Sequence, residues 1–424
     1  MDQRYITLLR EELIPALGCT EPIAIAYAAA TAARTLGRAP QHILCQCSGN
    51  IIKNVQSVSV PNSGGLKGVA AAAALGALGG DPALELNVLQ RVGSAEQQAA
   101  RDFLEAGSCE VRLLETSHSL HIQLTARAGR HWAEVEIRDQ HTRIVSLKLD
   151  GRLLRQDPGC EAAPGQAARD WMSFEGILAF ARQAPVEELR RLLEPQLTYN
   201  LAIAREGLSG SWGAGVGAAI LRQSSPGDVA ARARAYAAAG SDARMSGCTL
   251  PVVINSGSGN QGVTVCLPVW VYAQERKAAP ELLYRALAVS NLVAIYQKSS
   301  IGRLSAFCGV VGAACGCGAG IAFLEGRGDQ VIGNTVINTL GNISGMVCDG
   351  AKPSCAAKIA SAVDAALLGY QLAQQGYVFA DGDGLMKDGI EKTLRCIGRL
   401  GRDGMRGTDE EILHLMLEDD AVGC

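Results

Sequence analysis

Two hydropathy patterns occupy separate parts of the chain. Residues 108–154 alternate apolar and polar side chains, with breaks at Ala128-Gly129 and Gln140-His141, which is typical of antiparallel strands. Helical patterns cover residues 1 to about 40 and 66–80, and from Trp171 onward the 3.6-residue period predominates, for example at 228–239 and 355–375. Strands confined to one region and helices elsewhere predict an α+β fold.

A polar, glycine- and proline-containing segment separates the two regions. Residues 155–170 read RQDPGCEAAPGQAARD and are typical of a linker. We therefore predict an N-terminal α+β domain with an antiparallel sheet over 1–160, followed by a predominantly α-helical domain over 165–424. The 49 glycines and the aromatic content of only 4% favour closely packed helices.

Charge and hydropathy exclude several classes of function. The net charge of −3 and the absence of a polybasic run argue against nucleic-acid and membrane-surface partners. Residues 304–324 carry no charge, but glycine, alanine and cysteine fill them without an aromatic belt, so we expect a buried helix rather than a membrane span. The amphipathic, acid-containing start is not typical of a secretory leader, and we expect a cytoplasmic protein.

Cysteine is unusually frequent, with 14 residues, while histidine is scarce. In a reducing compartment many cysteines are buried apolar residues, metal ligands or catalytic groups. The four histidines of the strand region have no ligand spacing and are predicted to lie at the surface: His118, His121, His131 and His141.

The motif Gly18-Cys-Thr-Glu-Pro22 resembles a helix start that carries a thiol. The positive end of a helix macrodipole would lower the pKa of Cys19 and favour its thiolate. The sequence leaves open the alternative that Cys19 merely occupies an ordinary helix start.

Two loops rich in glycine, serine and asparagine, at 61–65 and 255–262, precede or interrupt apolar helices. Such loops present backbone N–H groups to an anion, and a carboxylate is the expected guest, although both can also be ordinary tight turns. No βαβ unit surrounds Gly257, Gly259 and Gly262, so a dinucleotide site is not expected.

Cys348 and Cys355 flank a loop that Gly350 and Pro353 keep from being one continuous helix. Cys308, Cys315 and Cys317 lie upstream, and we expect only one of the three to join this pair. His414 is the only histidine of the helical region, so a metal here would have thiolate ligands. Thiolate ligation suits an iron–sulfur cluster or zinc.

Taken together, these segments resemble the anaerobic L-cysteine desulfidases, which are related to the iron–sulfur L-serine dehydratases. The resemblance covers nearly the whole chain. Beside the Cys348/Cys355 pair, it rests on GCTEP at 18–22, PNSGGLKG at 61–68, TYNLAIAREG at 198–207, LPVVINSGSGNQG at 250–262 and FCGVVGAACGCGAG at 307–320.

The resemblance implies a site and a reaction. Cys308, Cys348 and Cys355 would hold a [4Fe-4S] cluster with one open iron, and Cys19 would remove the α-proton or act as a resting ligand that substrate displaces. The implied reaction is β-elimination of L-cysteine to hydrogen sulfide, ammonia and pyruvate. The implied substrate-binding residues are Asn62, Ser63, Gly64, Asn255, Ser256, Gly257 and Asn260.

Other functions remain open from the sequence. An iron–sulfur L-serine dehydratase, a non-enzymatic iron–sulfur or redox-sensing protein and a structural zinc protein would share parts of this pattern, whereas no lysine sits in a recognisable pyridoxal-phosphate setting. The terminal Cys424 belongs either to a disordered tail or to one that docks as a fourth cluster ligand. A homo-oligomer is possible.

Overall fold

The computed structural model describes residues 2–157, 169–302 and 304–421. The N-terminal part mixes helices with a sheet and also contains a 3₁₀ helix over Pro82–Asn87. Its elements, in chain order, are α1 (Arg4–Glu12), β1 (Pro15–Leu17), α2 (Thr20–Leu36), β2 (His42–Cys47), α3 (Gly49–Val55), α4 (Gly68–Gly79), α5 (Ser94–Glu105), β3 (Cys109–Leu113), β4 (His121–Ala128), β5 (His131–Arg138), β6 (Ile144–Leu149) and β7 (Arg152–Gln156).

The remainder is almost entirely helical, and one short strand interrupts it. A π-helical turn over Leu400–Gly404 joins the last two helices. Its elements are α6 (Phe174–Gln183), α7 (Val186–Ser209), α8 (Val216–Gln223), α9 (Val229–Met245), β8 (Pro251–Val253), α10 (Gly259–Glu275), α11 (Pro280–Ile301), α12 (Gly309–Leu324), α13 (Asp329–Ile343), α14 (Cys355–Gln374), α15 (Ile390–Arg399) and α16 (Arg406–Ala421).

The six-stranded sheet has the order β3-β2-β4-β5-β6-β7. All neighbours pair antiparallel except β2 and β3, which run parallel. The predicted α+β class and the strands over 108–154 are confirmed. Strand β2 was not predicted: its six residues enter the sheet from outside that stretch and pair with β3 after a long crossover through α3, α4 and α5.

The helix α12 lies at the centre of the helical part, where it packs against α10, α11, α13 and α14. Every residue from Val310 to Leu324 is buried, as small side chains allow. The expectation of a buried helix over 304–324 is confirmed for this span. None of the helices in the described ranges combines the length and apolarity needed to cross a bilayer.

The start of the chain packs on the helical part. Strand β1 pairs antiparallel with β8, so that Pro15 lies opposite Val253 and Leu17 opposite Pro251. Residue 18 follows the end of β1 that pairs with Pro251, and the Thr20 hydroxyl then reaches the loop after β8, where it donates to Gly257 O at 2.8 Å. The linker prediction falls mainly on residues outside the described ones, and the division into domains at 160 and 165 stays a prediction.

Close helix contacts depend on glycine at a few positions. In α7, a Cβ on Gly207 would lie 2.0 Å from the carbonyl oxygen of Ala239 in α9. The approach of these two helices fixes the C-terminal end of α9, which reaches the site described below.

We predict that Gly207→Ala lowers the free energy of unfolding by about 1–3 kcal/mol, because the added methyl group forces α7 and α9 apart. Urea denaturation measures the change. The control is Gly333→Ala in α13, where the nearest atom to the new methyl, on Phe174, is 3.6 Å away. Equal stability of the two variants would contradict the proposed close contact.

Candidate active site

A buried cavity brings together residues from both parts of the chain, among them Cys19, Cys308, Cys348 and Cys355. Cys308 and Cys348 are neighbours because their backbones pair. Phe307 forms an antiparallel bridge with Val347, and the amides of Cys308 and Cys348 donate to the opposite segment at 3.0 Å and 2.6 Å. A short stretch of β pairing thus brings together two cysteines, Cys308 and Cys348, that lie 40 residues apart in the sequence.

The third thiol reaches the cavity through the loop between Cys348 and Cys355. The loop turns at Gly350, whose φ is +95° and where a Cβ would lie 2.3 Å from the carbonyl oxygen of Lys53. Cys355 begins α14, its amide donates to Lys352 O at 2.9 Å, and its Sγ lies 3.7 Å from Gly350 O. Only glycine fits this turn, which folds both sulfurs toward one centre as the sequence analysis expected.

Four helices begin at this cavity. Cys19 is the N-cap residue of α2, Cys308 that of α12 and Ser258 that of α10, while Cys355 is the first residue of α14. Unpaired backbone N–H groups give each helix start a partial positive charge, which stabilises anions nearby. The cavity is therefore suited to thiolates and to a carboxylate.

Hydrogen bonding polarises the cysteine pair. A hydrogen bond from Cys308 lowers the pKa of Cys348 in opposition to burial, and the ammonium groups of Lys53 and Lys298 add to this effect. The same hydrogen bond, together with burial, raises the pKa of Cys308, and burial raises that of Cys355. Cys348 is therefore the thiol of the three that ionises most readily.

Lys53 supports the loop that begins at Cys348. Its side chain is 2% exposed, its Nζ donates to the carbonyl oxygen of Cys348 at 3.2 Å, and it forms an ion pair with Asp409 of α16. A buried lysine requires such partners. The contact ties α3, the cysteine loop and the last helix together.

Cys19 lies opposite a carboxylate rather than a cation. Its thiol donates to Glu21 Oε2 at 3.0 Å. Burial and the negative charge of Glu21 raise the pKa of Cys19 well above its usual value. The predicted low pKa of Cys19 is wrong, because desolvation and the adjacent carboxylate outweigh the helix dipole.

Glu21 is a buried carboxylate held by three donors. Cys19 and Thr20 each lie 3.0 Å from Oε2, and Asn54 Nδ2 donates to Oε1 at 3.2 Å. Burial opposes ionisation, but His141, the hydrogen bond from Cys19 and the Arg244 guanidinium outweigh it and lower the pKa of Glu21. Glu21 is therefore an anion that accepts a hydrogen bond from the Cys19 thiol.

His141 also lines the cavity and is 6% exposed, so its predicted surface position is wrong. The turn between β5 and β6 folds over the site and buries this side chain. Nothing in the sequence pattern distinguishes His141 from the other histidines of the sheet.

Only some of the substrate-binding residues predicted in and after the loop between β8 and α10 line the cavity. Ser256, Gly257 and Asn260 line the cavity, and Ser256 and Gly257 have φ angles of +51° and +81°. Asn255 does not line it, because its fully buried amide donates to the backbone and side-chain oxygens of Asn291. Asn255 therefore anchors the loop to Asn291 of α11.

The loop at 61–65 lies outside the cavity lining. Asn62 donates to Leu89 O at 2.8 Å, Ser63 donates to Leu66 O at 3.1 Å, and Gly64 O accepts from Arg101. This placement does not support the predicted substrate contacts of Asn62, Ser63 and Gly64.

Arg244, at the end of α9, was not expected from the sequence. Its guanidinium lines the cavity, is 3% exposed, and donates from Nε to Gly18 O at 2.9 Å and from Nη1 to Asn260 Oδ1 at 3.0 Å. A charged residue in the otherwise alanine-rich, buried end of α9 is the signal that could have indicated it.

The cavity offers three cysteine thiols, the type of donor that an iron–sulfur cluster takes. Within the described ranges, no three His, Cys, Asp or Glu side chains are close enough to bind one metal ion together. A [4Fe-4S] cluster places each thiolate on a different iron, so its ligands can lie farther apart. Cys315 and Cys317 are fully buried inside α12, and Cys424 lies outside the described residues.

Residues 83–414 match the family described as serine dehydratase alpha chain. A UPF0597 protein of Desulfitobacterium hafniense is 48% identical over 416 residues, which cover 98% of this chain and 96% of that protein. A UPF0597 protein of Porphyromonas gingivalis is 36% identical over 425 residues, which cover 98% of both chains. The match to the family includes the three clustered cysteines, whereas Cys19 precedes it.

We predict that Thr20→Val lowers the free energy of unfolding by about 1–3 kcal/mol, since it leaves a buried oxygen without a donor. The hydroxyl lies 2.8 Å from Gly257 O and 3.0 Å from Glu21 Oε2, and its single proton serves one of them at a time. Chemical denaturation tests this. As a control, Thr31→Val on the same helix removes only a bond to Tyr27 O, and a similar loss there would contradict a special role for Thr20.

Proposed function

This chain belongs to the serine dehydratase alpha chain family, and on that premise we propose that it is a lyase that carries out β-elimination on a small L-amino acid, with L-cysteine as its substrate. The products are hydrogen sulfide, ammonia and pyruvate. The observation that carries the proposal is the meeting of Cys19 with Cys308, Cys348 and Cys355 at one buried cavity.

Cys308, Cys348 and Cys355 are the residues that would hold a [4Fe-4S] cluster. All three line one cavity, and helix starts and lysines offset the negative charge of their thiolates. When bound, a cluster with three protein thiolates supplies a Lewis-acidic iron that is accessible to substrate.

Cys19 and Glu21 together can move the α-proton. The Cys19 proton passes to Glu21 along the hydrogen bond between them, a transfer that the raised pKa of Cys19 and the lowered pKa of Glu21 make energetically uphill, and the Cys19 thiolate then takes the proton from Cα of the substrate. As the Cα–H electron pair forms the new double bond, the Cβ–S bond breaks and hydrosulfide leaves. The aminoacrylate tautomerises, and water converts it to pyruvate and ammonia.

Burial of the site supports this chemistry in two ways. The carboxylate of Glu21 is already held by Thr20 and Asn54, so it needs little reorganisation when the Cys19 proton moves. The burial of Cys19 and Glu21 also limits the water around them. Cys19 as a resting cluster ligand is the alternative role, and the variant below distinguishes the two.

L-Serine dehydration is the second candidate function, because the matched family carries that description. Elimination from serine must expel hydroxide, a poorer leaving group than hydrosulfide. The eight-residue span from Cys348 to Cys355 resembles the desulfidases more than the dehydratases. L-Cysteine therefore remains the proposed substrate. A non-enzymatic redox sensor is a different alternative, and it would contain a cluster but show no turnover.

We predict that the anaerobically purified protein contains about four irons per chain. Cys348→Ser and Cys355→Ser should each lose iron, because a serine oxygen is a poorer cluster ligand than a thiolate. Iron and acid-labile sulfide assays measure this. Cys109→Ser, outside the cavity, is the matched control and should keep the metal; full iron retention in the first two variants would refute the ligand assignment.

For Cys19→Ala we expect the iron content to stay unchanged and sulfide release to fall by about 10²–10⁴-fold, the usual loss for a removed general base. Anaerobic sulfide assays and iron analysis on the same preparation give both values. Cys396→Ala is the control. Loss of iron from Cys19→Ala would make Cys19 a ligand, and normal turnover would exclude it from proton transfer.

A further prediction concerns substrate choice. The kcat/KM for L-cysteine should exceed that for L-serine by at least about 10–100-fold, which corresponds to about 1.4–2.7 kcal/mol of transition-state stabilisation. Pyruvate is the shared readout and sulfide the specific one. Serine turnover equal to that of cysteine would favour the dehydratase alternative and leave the cluster assignment standing.

A further inference from the structure

We propose that Arg244 binds the α-carboxylate of the substrate and that the amide oxygens of Asn54 and Gln261 accept hydrogen bonds from its ammonium group. The cavity would then select free α-amino acids with both groups unmodified. This inference rests on the proposed function, because it assigns the substrate contacts of the same cavity to residues outside the predicted loop set.

The guanidinium of Arg244 is a buried charge with neutral partners. Its two hydrogen bonds go to the carbonyl oxygen of Gly18 and the amide oxygen of Asn260. Among the described carboxylates, none forms an ion pair with it, and its side chain is 3% exposed. A buried charge is stabilised most by a counter-charge in direct contact, so an anion in the adjacent cavity would add to the longer-range attraction of Glu21 and stabilise Arg244.

The geometry leaves donors for such an anion. A guanidinium has five N–H donors in a planar fork that matches a carboxylate, and only two of them are used here. The α10 N-terminus lies beside it: a Cβ on Gly259, the first residue of α10, would be 2.3 Å from Arg244 Nε. The positive end of α10 and the guanidinium thus both face the position proposed for the substrate carboxylate.

Two buried amide oxygens in the cavity lining lack hydrogen-bond donors. Asn54 Oδ1 and Gln261 Oε1 have no partner in the described part of the chain, although the two side chains are only 7% and 4% exposed. Leaving a buried acceptor unsatisfied costs about 1–3 kcal/mol. An ammonium group supplies three donors and would satisfy both oxygens.

The neighbours of these amides reinforce that assignment. Asn54 Nδ2 already donates to the Glu21 carboxylate, which places a negative charge close to the proposed ammonium site. Gln261 packs directly on the backbone of Gly309, where a Cβ would lie 2.6 Å from its Nε2. The cavity therefore offers a positive charge with unused donors at Arg244 and unsatisfied acceptor oxygens at Asn54 and Gln261.

The test measures binding of ligands that cannot undergo elimination, so it does not depend on turnover. L-Alanine has both groups and no leaving group, propionate lacks the ammonium, and N-acetyl-L-alanine has it blocked. We expect isothermal titration of the anaerobically purified protein to show binding of L-alanine, with propionate much weaker and N-acetyl-L-alanine undetectable.

The variants separate the two halves of the site. Arg244→Gln should weaken both L-alanine and propionate by at least about 10-fold, and Arg244→Lys should weaken them less, because it keeps the charge without the fork. Gln261→Leu should weaken L-alanine and leave propionate unchanged. Arg232→Gln on the same helix, where Arg232 pairs with Glu275 outside the cavity, is the matched control.

The outcomes also distinguish this inference from the proposed function. If the wild-type protein binds neither L-alanine nor L-cysteine, the proposed function fails. If it binds L-alanine but Arg244→Gln and Arg244→Lys, with normal iron content and circular dichroism, bind it equally well, the assignment of Arg244 is wrong and the proposed function stands. Equal L-alanine affinity of Gln261→Leu and wild type would overturn the ammonium assignment.

Discussion

The site depends on the convergence of four helix N-termini, those of α2, α10, α12 and α14, on one buried cavity. Their partial positive charges act in a region of low dielectric, where an anion is needed to offset them. The rest of the fold brings these ends together. The hydrogen bond from Thr20 to Gly257 O joins the start of α2 to the loop before α10, and the bridge between Phe307 and Val347 sets Cys308 beside Cys348.

Similar thiols in this cavity behave differently because of their immediate partners. Cys348 accepts a hydrogen bond from Cys308 and faces Lys53 and Lys298, so its pKa falls. Cys19 donates to Glu21, and the pKa of its thiol rises with burial and that negative charge. This contrast separates a cysteine suited to ligation from one that retains a transferable proton.

The sequence predicted the strands over 108–154 and the buried helix around Cys315, because hydropathy periods are local, whereas the grouping of Cys308 with Cys348 and Cys355 came from the resemblance to a family. It could not indicate contacts that tertiary packing makes. Strand β2 is six residues long and is held in the sheet by its pairing with β3 and β4. Similarly, His141 and Arg244 reach the cavity from a sheet turn and an alanine-rich helix without any motif.

Mössbauer spectroscopy of the ⁵⁷Fe-loaded protein tests the central claim, that this cavity holds a cluster with an iron accessible to an amino acid. The ligand would be α-methyl-L-cysteine, which keeps the thiol, ammonium and carboxylate but has no α-proton to remove. We expect one of about four iron sites to change its parameters when this ligand binds. An unchanged spectrum at saturating ligand, or a protein that binds zinc in place of iron, would contradict the account.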